Sequence, residues 1–307
     1  MKASNWTITN SINLASATGL GKTKIGFILV AFSTSFPELF VTIFAIWDPK
    51  AIGISVGNVL GSNIVNISLI LGIGFIIFAI KYPKSAGFFV KMANEEVGSL
   101  NFGVLVSSLV PLILLFIGYS SQMIGILLIA LFVYNTYALS KKKETVEEIS
   151  AEAEKRALGM YAAKSILGIV GVVVCAYLIV ESASFLALSA GVPPVIVGGT
   201  IVAFGTSVPE LATSITAVRE GYIELALGNV IGSNFLNITL ILGLAFLLSP
   251  VNVNISAFST LVFFSLLSTI LLNYMLQNAK ILKRYGITLL VIYSIFLVTS
   301  VTSSSGF

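Results

Sequence analysis

The stretch AFGTSVPELATSITAVREGYIELALGNVIGSNFLNITLILG, residues 203–243, largely decides the fold, because a closely similar stretch occurs earlier in the chain. Residues 31–72 read AFSTSFPELFVTIFAIWDPKAIGISVGNVLGSNIVNISLILG. The copies align Glu38 with Glu210 at an offset of 172 residues, and from Gly57 onwards the offset is 171. Each copy places a glutamate after a proline in an apolar run and follows it with GNV(L/I)GSN. The chain therefore contains an internal duplication.

The composition of the 307-residue chain predicts an integral membrane protein. Hydrophobic residues make up 57% of the sequence and charged residues 10%, whereas soluble domains usually carry about 25% charged residues. Several apolar runs are long enough to cross a bilayer as helices, which need about 20 residues each. They cover residues 24–47, 51–80, 101–118, 121–140, 163–187, 194–218, 222–249, 255–277 and 285–303. We therefore expect an all-α polytopic membrane protein.

The residue types that are missing argue against an enzyme. The sequence has no histidine, which is the commonest general base and a common zinc ligand, so an intramembrane metalloprotease is disfavoured. Serine or threonine without a nearby base is a poor nucleophile. The single cysteine, Cys175, cannot form an intrachain disulfide.

The distribution of basic residues predicts the orientation in the membrane. If residues 1–20 are the remnant of a truncated first helix, the chain has ten segments and its loops alternate sides. Lys2 and Lys50 then lie on one side, and all other Lys and Arg residues lie on the opposite side. The positive-inside tendency makes the lysine- and arginine-rich side cytoplasmic and places both termini outside. Whether a full first helix precedes Met1 stays open here.

A charged segment, residues 141–158, divides the chain into two predicted repeats and is expected to be a solvated cytoplasmic linker. The first repeat is residues 1–140, with its motif copy at 31–72, and the second is residues 159–307, with its copy at 203–243. Each repeat has five segments, an odd number, so the second enters the membrane from the opposite side. Inverted-topology repeats with a site near the midplane recur in transporters, and we expect an ion site at the repeat interface.

Glu38 and Glu210 are the principal candidate site residues. Both lie near the middle of apolar segments, where an ionisable group is costly and indicates function by default. The alternative is a protonated carboxyl that acts only as a hydrogen-bond donor between helices. Pro37 and Pro209 lack an N–H group and distort the preceding turn. We therefore expect the carbonyls of residues 31–34 and 203–206 to be free to turn towards an ion.

Helical spacing places further oxygen-bearing side chains on single faces. In each copy, one helix has a polar face that includes the glutamate, and the following helix has a second polar face with the same spacing. The four faces are Thr34, Glu38 and Thr42; Thr206, Glu210 and Ser214; Asn58, Ser62 and Asn66; and Asn229, Ser233 and Asn237. Such hard oxygen ligands suit Ca²⁺ or Na⁺. The glycine pairs Gly57 with Gly61 and Gly228 with Gly232 are four apart, and we expect them to pack helices closely.

The paired motifs AFSTSFPEL with GNVLGSN and AFGTSVPEL with GNVIGSN resemble the two alpha-repeats of the calcium/cation antiporter superfamily. They resemble prokaryotic sodium/calcium exchangers in particular. The resemblance implies two groups of five helices with ions bound at the centre. It also implies alternating access, in which the two amino-terminal helices of each half slide against the rest.

The resemblance implies a metal site for Ca²⁺ and Na⁺ in which Glu38 and Glu210 are shared ligands. Its other implied ligands are Thr34, Thr206, the carbonyls of Ala31 and Ala203, Ser35, Ser207, Ser62, Ser233, Asn66 and Asn237. Two positions depart from the pattern. Many such exchangers have an aspartate where this chain has Asn237, and Ser33 replaces the glycine found at Gly205.

The sequence thus predicts a secondary active antiporter of the plasma membrane that exchanges Ca²⁺ for Na⁺. H⁺ as the counter-ion, carried by the same glutamates, is the alternative, and a passive cation channel is a second one. The partners we expect are the transported ions and the lipid bilayer. We expect no covalent cofactor, no nucleic acid and no obligatory protein partner.

Overall fold

The computed structural model describes most of both predicted repeats. The described segments are residues 26–46, 52–83, 98–141, 194–249, 255–277 and 282–304, together with the isolated residues 9, 10, 13, 159–161, 163, 164, 166, 167, 170, 185 and 189. The predicted first-helix remnant, the linker and the run 163–187 fall almost entirely outside them. The repeat boundaries therefore stay predictions.

The first repeat contributes five described helices. Helix α1 spans residues 26–34, as a π-helical stretch Gly26–Ala31 followed by a short α-helical turn. Helix α2 is Phe36–Ile46, and the long helix α3 is Ile52–Lys81. Helices α4 and α5 are Gly98–Ile117 and Gln122–Lys141.

The second repeat contributes the five equivalent helices. Helix α6 is Val195–Thr206 and α7 is Val208–Arg219, and the two meet at a bend of 44°. Helix α8 is Ile223–Leu248, α9 is Ile255–Gln277 and α10 is Leu282–Ser304. Every element in the described segments is helical, as the apolar runs predict.

Fewer of the described helices are long and apolar enough to cross a membrane alone than the nine apolar runs of the sequence predict. In the described part of the chain, four helices are long and apolar enough to cross a membrane alone, and the bent pair α6–α7 makes a fifth span. The predicted run 24–47 is broken in the same way, because α1 ends and α2 begins on either side of Ser35. The two motif copies therefore share a broken-helix design.

The helices of the two repeats are intertwined. Helix α1 packs on α8, and its equivalent α6 packs on α3. Likewise α10 packs on the carboxyl-terminal part of α3, α5 packs on the corresponding part of α8, and α4 packs on α9. Each contact between repeats thus has its counterpart, as a twofold relation of two similar units requires. The largest apolar cluster accordingly contains residues of both repeats, such as Val65 and Val230.

The glycines of α3 allow this close approach. A Cβ atom on Gly61 would lie 2.7 Å from Cα of Gly199 on α6, and one on Gly57 would lie 3.0 Å from the Gly199 nitrogen. Neither position has room for a side chain. The predicted packing role is confirmed for Gly57 and Gly61, and for Gly228 and Gly232 it stays a prediction.

Four π-helical stretches recur at equivalent places in the two repeats. Gly26–Ala31 and Gly198–Val202 precede the broken turns, and Val65–Leu71 and Asn237–Ile241 lie within α3 and α8. Widened turns of this kind are rare and frequently mark functional sites. All four adjoin the polar residues described next.

Candidate ion-binding site

The broken helices place both glutamates at equivalent positions. Ser35 ends α1 with φ −82° and ψ 7°, and Ser207 ends α6 with φ −81° and ψ 4°. Each serine lies two residues before a proline, whose missing N–H interrupts the helical ladder. Glu38 and Glu210 consequently lie in the first turns of α2 and α7. Helix amino termini carry a partial positive charge that favours a carboxylate there.

The expectation that the carbonyls of Ala31 and Ala203 are released is wrong. The Ala31 carbonyl accepts the Ser35 N–H at 3.0 Å, and the Ala203 carbonyl accepts the Ser207 N–H at 3.1 Å. Proline removes the donor for the residue four positions earlier, which is Ser33 in the first repeat. The Thr34 and Thr206 hydroxyl oxygens also lie 3.3 Å from these alanine carbonyls, but each hydroxyl has one hydrogen and its shorter contact is to an asparagine amide oxygen. Each alanine carbonyl has two lone pairs, and the backbone N–H occupies one of them, so ligation by either carbonyl rests on the second lone pair.

The predicted site residues are buried together. Each of them is at most 3% exposed. They are Ala31, Thr34, Ser35, Glu38, Ser62, Asn66, Ala203, Thr206, Ser207, Glu210, Ser233 and Asn237. Burial of this many polar groups inside a membrane protein is costly unless they have partners or bind something.

The two carboxylates accept hydrogen bonds from serines. Glu210 Oε1 accepts from Ser35 Oγ at 3.3 Å and from Ser233 Oγ at 3.2 Å. Glu38 Oε1 accepts from Ser62 Oγ at 3.4 Å, which is the counterpart of the Ser233 bond. The side-chain partners found for both glutamates in the described segments are hydroxyls, and none is basic. Ser207, the counterpart of Ser35, has a hydroxyl without a partner there.

Threonines connect the two repeats around the glutamates. Thr34 Oγ1 donates to Asn229 Oδ1 at 3.2 Å, and Thr206 Oγ1 donates to Asn58 Oδ1 at 2.9 Å. Thr34 also lies beside Glu210, and Thr206 lies beside Glu38. The two carboxylates are near enough to interact electrostatically. The duplicated motifs therefore form one site, in which each threonine serves the other repeat's glutamate.

The asparagine partners of Thr34 and Thr206 are held differently in the two repeats. Asn229 Nδ2 donates to Thr213 Oγ1 at 3.1 Å and to Ser214 Oγ at 2.9 Å. Asn58 Nδ2 has no partner among the described residues. In the first repeat the residue equivalent to Thr213 is Val41, which offers no acceptor.

Asn66 and Asn237 meet two asparagines that the predicted ligand set omits. Asn66 Nδ2 donates to Asn234 Oδ1 at 3.0 Å, and Asn237 Nδ2 donates to Asn63 Oδ1 at 3.1 Å. Asn63 and Asn234 are the last residues of the repeated GSN sequence, so the duplication contained the signal. Helical spacing from Glu38 and Glu210 did not select them.

Four carboxylate and amide oxygen atoms of the predicted site residues are buried without a hydrogen-bond partner in the described part of the chain. They are Glu38 Oε2, Glu210 Oε2, Asn66 Oδ1 and Asn237 Oδ1. The described residues contain no group of three or more His, Cys, Asp or Glu side chains that can hold a metal ion. The oxygen set therefore suits a hard cation, whose charge two carboxylates balance, rather than a soft transition metal.

Known proteins resemble the chain over nearly its whole length. The family profile described as sodium/calcium exchanger protein matches residues 1–141 and 160–302. The sodium/calcium exchanger MaX1 of Methanosarcina acetivorans is 32% identical over 97% of this chain and 94% of its own length. An uncharacterized membrane protein of Methanocaldococcus jannaschii is 32% identical over 95% of this chain and 91% of its own length.

Comparison of the fold with solved structures also finds a sodium-calcium exchanger. A solved structure of the sodium-calcium exchanger NCX_Mj, soaked with 10 mM Na⁺ and zero Ca²⁺, matches with a TM-score of 0.73 and 29% identity. The match covers 96% of this chain and 93% of that chain. The predicted all-α polytopic fold and the family resemblance are confirmed, and the relatives that carry a functional name are exchangers rather than enzymes. The chain therefore belongs to the sodium/calcium exchanger family of membrane cation antiporters.

Proposed function

We propose that the protein exchanges Ca²⁺ for Na⁺ across the membrane by alternating access, with both ions competing for Glu38 and Glu210. The observation that carries this proposal is the pair of duplicated, fully buried carboxylates, each with one oxygen that has no hydrogen-bond partner among the described residues. A cation that bridges the two carboxylates neutralises charges that are otherwise expensive to bury. The names of MaX1 and NCX_Mj support the choice of ions.

The remaining ligands surround the carboxylates in the proposed site. Thr34, Thr206 and Ser207 add hydroxyls, and the carbonyls of Ala31 and Ala203 contribute their remaining lone pairs. Ser35, Ser62 and Ser233 orient the glutamates and can also contact the ion. Asn66 and Asn237 offer their unpartnered amide oxygens. This set has two negative charges, which balance one Ca²⁺ or two Na⁺, so a third Na⁺ leaves one net positive charge.

Competition for shared ligands couples the two fluxes. Because Ca²⁺ and Na⁺ use the same carboxylates, they do not occupy these ligands together. Each ion shifts the equilibrium between inward- and outward-facing states only through its unequal affinity for them. Coupled exchange then requires that the protein switches readily between the inward- and outward-facing states only when Ca²⁺ or Na⁺ occupies the ion site.

We place the protein in the plasma membrane, with residues 141–158 in the cytoplasm and both termini outside. The support is the distribution of Lys and Arg, of which only Lys2 and Lys50 fall on the outer side of the ten-segment arrangement. A cysteine introduced at Gly306 in a Cys175→Ser background, labelled from one side of sealed vesicles, tests on which side the carboxyl terminus lies.

Transport in reconstituted vesicles tests the counter-ion. The purified protein is incorporated into liposomes loaded with Na⁺ and diluted into Na⁺-free medium containing Ca²⁺, with the membrane potential clamped by potassium and valinomycin. We expect Ca²⁺ uptake that requires the Na⁺ gradient. Vesicles with a pH gradient and no Na⁺ form the parallel arm.

The other outcomes have defined meanings. Uptake driven by the pH gradient alone establishes H⁺ as the counter-ion and defeats the Na⁺ assignment. Rapid uptake without any opposing gradient identifies a passive channel. Release of the accumulated Ca²⁺ by a calcium ionophore controls for binding to the vesicle surface.

A further inference from the structure

We propose that Asn63 and Asn234 are positioning residues that hold the amides of Asn237 and Asn66 with their oxygens towards the transported cation. This inference rests on the proposed function, in which Asn66 and Asn237 are ligands. It assigns a task to two residues that the duplicated motif contains and whose hydrogen bonds in the described structure involve no carboxylate.

The four asparagines form a reciprocal arrangement between α3 and α8. Asn63 and Asn66 are three residues apart on α3, and Asn234 and Asn237 are three apart on α8. All four are at most 1% exposed. Asn66 donates to Asn234 at 3.0 Å, and Asn237 donates to Asn63 at 3.1 Å, so in this pair of bonds each helix provides one donor and one acceptor. Asn234 Nδ2 also donates to the backbone carbonyl of Asn63 at 3.4 Å.

These hydrogen bonds leave the same end of each ligand amide unpartnered. The Nδ2 groups of Asn66 and Asn237 are bonded, whereas their Oδ1 atoms have no partner in the described segments. An amide presents a negative oxygen or a positive NH₂ group according to its rotation, and only the oxygen attracts a cation. With Asn63 in its observed orientation, rotation of Asn237 by a half turn would lose the bond to Asn63 and set two oxygens against each other.

The alternative is that these two hydrogen bonds only hold the helices together, and this alternative does not explain which end of each amide is unpartnered. Such a pair would hold α3 on α8 whichever end of each amide was left over. Here the unpartnered atom is the amide oxygen in both cases, Asn66 Oδ1 in the first repeat and Asn237 Oδ1 in the second, although the neighbouring side chains differ. Both ligand asparagines also lie in widened turns, Asn66 within Val65–Leu71 and Asn237 at the start of Asn237–Ile241.

A double-mutant cycle separates positioning from helix packing. Asn63→Leu is made in two backgrounds, the native protein and Asn237→Asp, and the Kd for Ca²⁺ is measured by calorimetry on purified protein. We expect Asn63→Leu to weaken Ca²⁺ binding about tenfold in the native background, as the loss of one orienting hydrogen bond predicts. In the Asn237→Asp background the loss should be under about twofold, because a carboxylate offers an oxygen in either orientation.

Asn234→Leu is the matched control. It removes the acceptor for Asn66 and a donor to the backbone carbonyl of Asn63, but it keeps the side-chain bond from Asn237 to Asn63, so it should weaken Ca²⁺ binding by the same factor in both backgrounds. Thermal unfolding without Ca²⁺ reports how much each leucine destabilises the fold. If Asn63→Leu does not fold, Asn63→Ala is tested in the same two backgrounds.

The two proposals fail in different ways. If Asn63→Leu weakens binding equally in both backgrounds, or has no effect in either, the positioning proposal is overturned while Ca²⁺ binding by the native protein still stands. If the native protein binds no Ca²⁺, the proposed function itself is overturned, and the positioning role falls with it.

Discussion

Ser35 Oγ donates a hydrogen bond to Glu210 Oε1 at 3.3 Å, from the first repeat to the second, whereas the equivalent hydroxyl of Ser207 has no partner among the described residues. The duplicated site is therefore asymmetric. We expect Ser35→Ala to weaken Ca²⁺ binding about tenfold or more, because hydrogen bonds to charged groups are worth about 1.5–3 kcal/mol. Ser207→Ala should cost less, about threefold, since it removes one neutral hydroxyl ligand and breaks no hydrogen bond within the described structure.

Calorimetric titration of Ca²⁺ into the two purified variants makes the comparison. Both serines are buried and both lie at the broken turn, so each alanine controls for the backbone effect of the other. Equal losses, or a larger loss for Ser207→Ala, would show that the asymmetric hydrogen bond has no consequence for ion affinity.

Glu210→Gln should abolish Ca²⁺ transport in vesicles while the protein remains folded. Glutamine keeps the shape of the side chain and can still accept the hydrogen bonds from Ser35 and Ser233. It removes one of the two charges that balance the cation in a buried site. Glu38→Gln should have the same effect, because the two carboxylates form one site.

Glu220→Gln provides the control for these variants. Glu220 immediately follows α7, the helix that carries Glu210, and its side chain is exposed. Its neutralisation should leave the transport rate near that of the native protein. Near-normal flux through Glu210→Gln would instead mean that Glu210 has only a structural role.

The duplication predicts which residues are equivalent, and this was enough to select a set of residues that are all buried. Hydrogen bonds link Glu38 and Glu210 to serines of that set. A sequence repeat does not specify which side chains meet across the helix crossings. That Ser35 bonds to Glu210, and that Asn66 meets Asn234, depends on how α3 and α8 pack on the helices of the other repeat.

The backbone was harder to predict than the side chains. Pro37 and Pro209 correctly indicated the broken turns, but the Ala31 and Ala203 carbonyls stay bonded because proline removes a donor from a different residue. The π-helical stretches have no residue signature comparable to proline. They depend on tertiary packing that favours one extra residue in a turn.

Gly61→Ala should destabilise the protein, because α3 lies directly against α6 at this point. The new Cβ would be 2.7 Å from the Cα of Gly199, which is backbone and cannot rotate away. Overpacking of this kind typically costs about 1–3 kcal/mol. Thermal unfolding of the detergent-purified protein should show a lower melting temperature than the native protein.

Gly53→Ala is the matched control on the same helix. A Cβ at Gly53 would have no heavy atom within 4 Å outside its own helical surroundings. This variant should unfold at the native temperature or slightly above it, because alanine is the better helix former. If both alanine variants behave alike, the contact between Gly61 and Gly199 does not limit stability.

Asn237→Asp should make the protein more dependent on Ca²⁺ for its stability. The aspartate would be a third buried carboxylate near Glu38 and Glu210, so the cation-free protein gains repulsion while the Ca²⁺-bound protein gains attraction. We expect about tenfold tighter Ca²⁺ binding, equivalent to about 1.4 kcal/mol.

The measurement is the rise in melting temperature caused by saturating Ca²⁺, compared between the variant and the native protein. Gln277→Glu adds the same charge at the exposed end of α9 and should leave that rise unchanged. A ligand that binds only the folded state stabilises it by an amount that grows with its affinity. If Asn237→Asp gives no larger rise than Gln277→Glu, residue 237 lies beyond the reach of the bound ion, and its amide oxygen is not a ligand.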